Sequence, residues 1–265
     1  MKIYISADIE GVAGCTALAE SDPNASEYPL FRRRMTAEVK AACDGAVAAG
    51  ATEILVKDAH WFGRNIDASE LPRCVRLIRG WSGHPYSMMQ ELSGDFAAVL
   101  FVGYHSAASS GGNPLSHTMS GIFAEIKIND QRASEFMINS YTAYLEGVPV
   151  AFLSGDEALC EEAKKFNESL VTVSTMKGVG DSTISIQPAV ALERIQAGVE
   201  SALRKKSPQK APALPGRFKV EIRYRSPATA YKCSHYPGAK LASDNTIVFE
   251  AKEYFDVLRL VAFAR

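Results

Sequence analysis

Lys2-Ile3-Tyr4-Ile5-Ser6-Ala7-Asp8-Ile9-Glu10-Gly11 is the stretch on which the fold turns. Residues 2–7 form a short apolar run with the composition of a buried strand, and the run stops at a carboxylate, with a second one two residues later. Further along, Ile54-Leu55-Val56 leads into Lys57-Asp58-Ala59-His60, and Val99–Val102 leads into Gly103-Tyr104-His105. Between the first two runs, Met35, Val39, Ala42 and Ala46 step at three to four residues. That spacing predicts a helix over Tyr28–Ala49, with Ser26 as its N-cap and Gly50 as its stop. Apolar strands separated by helices imply βαβ units and a mainly parallel central sheet flanked by helices, an α/β fold.

The rest of the chain extends this pattern. Val75–Ile78 reads as a strand, Met88–Leu92 as a short helix and Gly121–Asn129 as a strand, with Asn129-Asp130 as a turn. Ser134–Leu145, Asp156–Asn167 and Pro188–Lys205 read as helices, and Val148–Leu153 and Leu170–Ser174 as strands. Pro208, Pro212, Pro215 and Gly216 mark a linker at 207–216. It divides an α/β metal-binding body, 1–206, from a small α+β lobe, 217–265, expected to pack on it. The lobe contains predicted strands at Phe218–Tyr224 and Thr246–Glu250 and a helix at Glu253–Ala264.

Composition removes several classes. The chain has 265 residues, 47% of them hydrophobic, and a net charge of −1. It is long enough to fold on its own core without staples. The balanced charge offers no general pull toward nucleic acid or anionic lipid, and no segment has the apolar length of a membrane span. The cysteines, Cys15, Cys43, Cys74, Cys160 and Cys233, are odd in number and widely spaced, with no CxxC pair. They read as small buried hydrophobes in a reducing compartment. Because carboxylates follow the first strand so soon, no signal-peptide core fits there, and the expected location is cytoplasmic.

In open α/β sheets, ligands bind beyond the carboxyl ends of the strands. Asp8, Glu10, His60 and His105 then converge at one edge. Two carboxylates and two imidazoles without a thiolate suit zinc, manganese or iron(II). With a bridging carboxylate, for which Asp8 is the candidate, such a set also suits a two-metal centre. His117, on a loop rich in Ser and Gly, is a candidate acid, base or nucleophile, or a further ligand. Glu135, at the start of a helix, reads by itself as ordinary complement to the helix dipole. His84 and His235 lie in turn-like contexts and read as structural. No GxxxxGK[ST] or GxSxG occurs, and two acids at the first strand exit oppose direct phosphate binding.

Ser6-Ala7-Asp8-Ile9-Glu10-Gly11 resembles the SxDxEG signature of the D-aminopeptidase DppA family, the M55 metallopeptidases. The likeness continues through Asp58-Ala59-His60, Gly103-Tyr104-His105, Ser116-His117-Thr118-Met119, Ile128-Asn129-Asp130, Glu135, Asn139, Val148-Pro149-Val150 and Gly155-Asp156. It is weaker after the linker, and the stretch from Ser106 to Pro114 departs from the pattern. The resemblance implies a binuclear zinc aminopeptidase that hydrolyses short peptides with an N-terminal D-amino acid, of the D-Ala-D-Ala type. It implies Asp8, Glu10, His60, His105 and Glu135 as ligands of two zinc ions per subunit and His117 as the catalytic histidine. It also implies a homodecameric ring with its sites facing an interior channel. Two rival expectations remain. One is another two-metal hydrolase, an amidase or a phosphoesterase, for which Lys57 and Arg64 are the nearby cations. The other is a non-catalytic metal or small-ligand binding protein.

Overall fold

The computed structural model describes residues 1–204 and 210–265. Strands β1 (Lys2–Ala7), β2 (Glu53–Asp58), β3 (Val75–Ile78) and β4 (Ala98–Tyr104) open the chain, with helices α1 (Leu18–Ser21) and α2 (Tyr28–Ala48) between β1 and β2. The pair β5 (Phe123–Ile128) and β6 (Gln131–Arg132) follows, then α3 (Glu135–Leu145), β7 (Val150–Asp156), α4 (Glu157–Phe166), β8 (Val171–Val179), β9 (Ser182–Ser185) and α5 (Pro188–Leu203). The last segment holds β10 (Phe218–Tyr224), α6 (Pro227–Cys233), β11 (Lys240–Ser243), β12 (Thr246–Ala251) and α7 (Tyr254–Phe263).

Seven strands form one sheet in the order β3-β2-β1-β4-β7-β8-β9, parallel except for β9, which runs antiparallel to β8. The chain builds outward from β1 to β2 and β3, then returns to lay β4 on the other side of β1. This reversal opens a crevice at the carboxyl ends of β1, β2 and β4. Side chains alternate across the sheet. Ile3, Ile5, Ile54, Val56, Leu100 and Val102 face α2 and α5, while Tyr4, Leu55, Val99 and Phe101 face α3 and α4. Both faces are covered, which is why these strands read as continuous apolar runs.

The second sheet is antiparallel, β11-β12-β10-β5-β6. Its core joins Phe123, Ile126 and Ile128 to Val220, Ile222, Ile247, Val257 and Leu260. Here the structure differs from the sequence reading, which placed the strand around Gly121–Asn129 in the body. That strand, β5, pairs with β10, so the second sheet is not built from the C-terminal segment alone. The expected turn at Asn129-Asp130 is the β5–β6 hairpin, with both residues at positive φ (51° and 63°). Residues 207–209 of the expected linker, and position 205 of the expected helix, lie outside the described residues; 210–217 carry no helix or strand.

Two local expectations fail. Ser26 does not cap α2, whose N-cap position is Glu27 without a side-chain bond; Pro29, near the first helical position, needs no amide partner. Met88–Leu92 yields only a 3₁₀ turn at Ser87–Met89. Gly50 does stop α2. At φ 97° it lets Gly50 N donate to Val47 O and Ala51 N to Ala46 O, closing the last orphan carbonyls.

The strand exits are held very close together. Asp8 N donates to Val102 O at 2.9 Å and Gly11 N to Gly103 O at 2.8 Å. Gly103 has φ 69°, and a Cβ there would lie 2.3 Å from Asp8 O. Gly103→Ala is therefore expected to cost about 2–4 kcal/mol, through left-handed strain plus backbone displacement. Chemical denaturation against the wild type measures this.

Candidate metal centre

Each strand exit delivers one part of the site. Asp8 and Glu10 follow β1, His60 follows β2, His105 follows β4, and Glu135 opens α3. His117 comes from the loop between β4 and β5. The structure brings together all six residues singled out from the sequence. Oxygen and nitrogen atoms of Asp8, Glu10 and His60, of Asp8, His105 and Glu135, and of Glu10, His105 and His117 form three groups, each within 4.8 Å. Asp8, Glu10 and His105 each belong to two of them. Five of the six side chains are buried; that of His117 is 27% exposed.

The three imidazoles share one construction. His60 Nε2 lies 2.9 Å from Ser21 O, His105 Nδ1 2.9 Å from Ser106 O, and His117 Nδ1 3.0 Å from Leu115 O. Each ring thus commits one N–H to a backbone carbonyl and turns its other nitrogen to the acids. Metal-binding histidines are oriented in this way. His60 Nδ1 stands 3.1 Å from Asp8 Oδ1 and 3.0 Å from Glu10 Oε2. His105 Nε2 is 3.7 Å from Asp8, 3.8 Å from Glu10 and 3.8 Å from Glu135, and it is buried without a hydrogen-bond partner among the described residues. His117 Nε2 lies 3.5 Å from Glu135 Oε1, its ring stacked on His105 at 4.4 Å.

The electrostatics show what this arrangement demands. Burial and the adjacent Glu10 raise the Asp8 carboxyl. Burial also works against ionisation of Glu10, but His60, His117 and His105 outweigh it and hold Glu10 well below the usual carboxylate range. Burial would lower both His60 and His105, yet the acids reverse the sign. Glu10 and Asp8 raise His60 strongly, and Glu135, Glu10 and Asp8 lift His105 to about 9. The acids thus favour positive charge beside them, at His60 and His105. An orphaned imidazole nitrogen facing three buried carboxylates is a donor set that fits a divalent metal.

The loops carrying these residues are clamped by polar side chains that the sequence reading gave no role. Asp58, at the end of β2, accepts from Asn65 N and Ile66 N at 2.5 and 2.8 Å, and Asn65 Nδ2 donates to His60 O at 2.8 Å. Asn113 Nδ2 donates to Glu10 O at 3.0 Å. Asp156 accepts from Ser106 N and Ser106 Oγ, both at 2.6 Å, and from Leu159 N at 2.9 Å, so one carboxylate caps α4 and secures the residue after His105. Asp58 and Asp156 both end apolar strands as Asp8 does, and that position was the available signal. His84 lines the same cavity, with its Nδ1 accepting from Tyr86 N; His235 packs against Tyr231 outside it.

An antiparallel lobe beside a doubly covered parallel sheet, with a buried His/Asp/Glu cluster at the strand reversal, defines an α/β protein built around a metal site. The D-aminopeptidase family model, peptidase family M55, matches residues 1–263, and the chain belongs to this peptidase family. It is similar to a D-aminopeptidase from Bacillus subtilis (strain 168), 30% identical over 258 residues that cover 97% of this chain and 93% of the relative. Among solved structures it resembles one described as the Zn-dependent D-aminopeptidase DppA from Bacillus subtilis, a self-compartmentalizing protease. The TM-score is 0.93 at 27% identity, over 100% of this chain and 96% of that one.

Two outcomes test the site. Asp156→Ala leaves Ser106 N, Ser106 Oγ and Leu159 N unpaired; a loss of about 3 kcal/mol is expected in chemical denaturation. Metal uptake is expected to release protons. A ligating imidazole must be neutral, and metal-free His105 stays protonated up to about pH 9, so affinity rises with pH over that range and falls on acidification. Titration of chelator-treated protein with a zinc salt, in buffers of different ionisation enthalpy, measures the release.

Proposed function

We propose that the chain is a zinc-dependent aminopeptidase acting on short peptides with an N-terminal D-amino acid. Two zinc ions per subunit are held by Asp8, Glu10, His60, His105 and Glu135. The observation that carries this reading is His105 Nε2, buried and, among the described residues, without a hydrogen bond, within 3.8 Å of three carboxylates. Asp8 and Glu10 are the carboxylates shared between two ligand groups, and Asp8, at the exit of β1, would be the candidate to bridge the ions. Zinc bound there supplies Lewis-acid polarisation of the scissile carbonyl and a water of lowered pKa.

The protein's own contribution centres on His117. With Nδ1–H engaged by Leu115 O, its Nε2 presents a lone pair toward the site and Glu135. From there it takes a proton from the attacking group and returns it to the departing amine. Its partial exposure puts it at the cavity side of the cluster, where a substrate arrives. Direct attack by Nε2 is the other use of the same lone pair, and an acyl-imidazole trapped by mass spectrometry would distinguish it.

Lys57 and Arg64, the two cations expected to serve a phosphoesterase, are engaged elsewhere. Lys57 Nζ is engaged by Asp58 O and Gly80 O at 2.6 and 2.7 Å and lies over Trp81, while Arg64 stacks on Phe62 in a separate hollow. A homo-oligomer is proposed from the similarity to a self-compartmentalizing protease, and a decameric ring from the family resemblance. Among the described residues no helix is long and apolar enough to cross a membrane. A cytoplasmic location is proposed on the five cysteines, all free.

Metal quantification with a panel of D- and L-configured dipeptides tests the reading. The expectation is two zinc per chain and chelator-sensitive hydrolysis favouring N-terminal D-residues. Asp8→Ala should lose metal and activity together. His117→Ala should keep most of the metal and lose about 10²-fold or more in kcat. Loss of both ions in His117→Ala would make it a ligand instead.

A further inference from the structure

One cavity of about 890 Å³ is lined both by residues of the acidic cluster and by residues of the C-terminal segment, and its lining carries both signs of charge. Asp8, Glu10 and Glu135 supply the acids. Arg225, just beyond β10, and Arg265 supply the guanidinium groups. Arg265 already has a neighbouring cation, Lys232, whose Nζ donates to its carbonyl oxygen at 3.0 Å. Arg225 is different. It is exposed, and among the described residues its guanidinium has no hydrogen bond or ion pair, whereas Arg223, two residues earlier, faces Glu125 at 3.8 Å.

We propose that Arg225 binds the C-terminal carboxylate of a short peptide whose amino end lies at the acidic cluster. This rests on the peptidase reading above and names the feature that limits substrate length. The geometry follows from printed contacts along one loop. Met119 N donates to Glu135 Oε1 at 2.6 Å, and Arg225 N donates to Ile122 O at 3.0 Å. Met119 to Ile122 is four residues, at most about 14 Å even if fully extended. A di- to tetrapeptide spans about 7–14 Å by the same measure. The long, flexible Arg225 side chain can follow a peptide laid along this path. Its planar fork matches a carboxylate with two parallel hydrogen bonds, and among the described residues no acid already occupies it. In the same lining, Ile138, Leu258 and Val261 supply an apolar wall for the peptide's side chains. A cavity lined with both signs of charge is complementary to a zwitterion, its ammonium and scissile bond at the acids and its carboxylate at Arg225.

The test compares zinc-loaded wild type, Arg225→Ala and Arg225→Lys on D-alanyl-D-alanine and on its C-terminal amide. Wild type is expected to favour the free acid. Arg225→Ala should lower kcat/KM for the acid by about 10-fold or more, mainly through KM, and leave the amide within about two-fold; Arg225→Lys should recover part of the loss. Equal losses on acid and amide, or no loss on the acid, would overturn the carboxylate role while leaving the peptidase reading intact. Failure of the wild type to cleave either compound would overturn the peptidase reading, and the carboxylate role with it.

Discussion

Three carboxylates buried in one crevice repel each other, and the rest of the site is arranged around that repulsion. Asp8, Glu10 and Glu135 are almost entirely removed from water, where an ionised group is costly unless paired. His60 and His105 answer that charge from 3.0 to 3.8 Å, while backbone carbonyls hold their opposite ring nitrogens. A divalent cation answers it better, because it needs no proton on either ring. The acids, the ring orientations and the raised affinity of His105 for protons are therefore facets of one electrostatic problem.

The scaffold meets that problem by setting several strand exits side by side where the strand order reverses. The closeness is enforced in the backbone. Gly103 leaves no room for a side chain against Asp8 O, and Asp58, Asn113 and Asp156 fasten the loops from outside. Helix α3 joins the two sheets. Its N-terminus delivers Glu135 under the cap of Ser134, and further along Tyr254 of α7 donates to Ile138 O at 2.8 Å. Part of the cavity wall is thus held by the same helix that supplies one of the acids.

Much of the fold was readable in local pattern. β1, β3 and β10 fall where their apolar runs begin and end, and Gly50 stops α2 because its conformation there is left-handed. Other elements left weak traces. β9, α6 and β11 are short and largely exposed, so no hydrophobic period marks them. Ser26 had the right chemistry for a cap but stands one residue too early for α2. Asp58 and Asp156 were given no role from the sequence, because their work as clamps depends on partners that the loops bring to them.

By itself, the sequence determined which residues leave the strands, since a short buried strand reveals its end where apolar residues give way to polar ones. Asp8, Glu10, His60 and His105 were visible on that ground, and the ordered motifs around them carried the family resemblance that brought in Glu135. Tertiary structure decided the rest. It set which ring nitrogen faces the acids, placed Glu135 beside His105, and paired β5 with β10 across some ninety residues of chain. It also left Arg225, among the described residues, without an ion pair in the lining of the same cavity. These outcomes depend on which surfaces bury each other and which charges remain without a partner, and neither is a property of neighbouring residues in the chain.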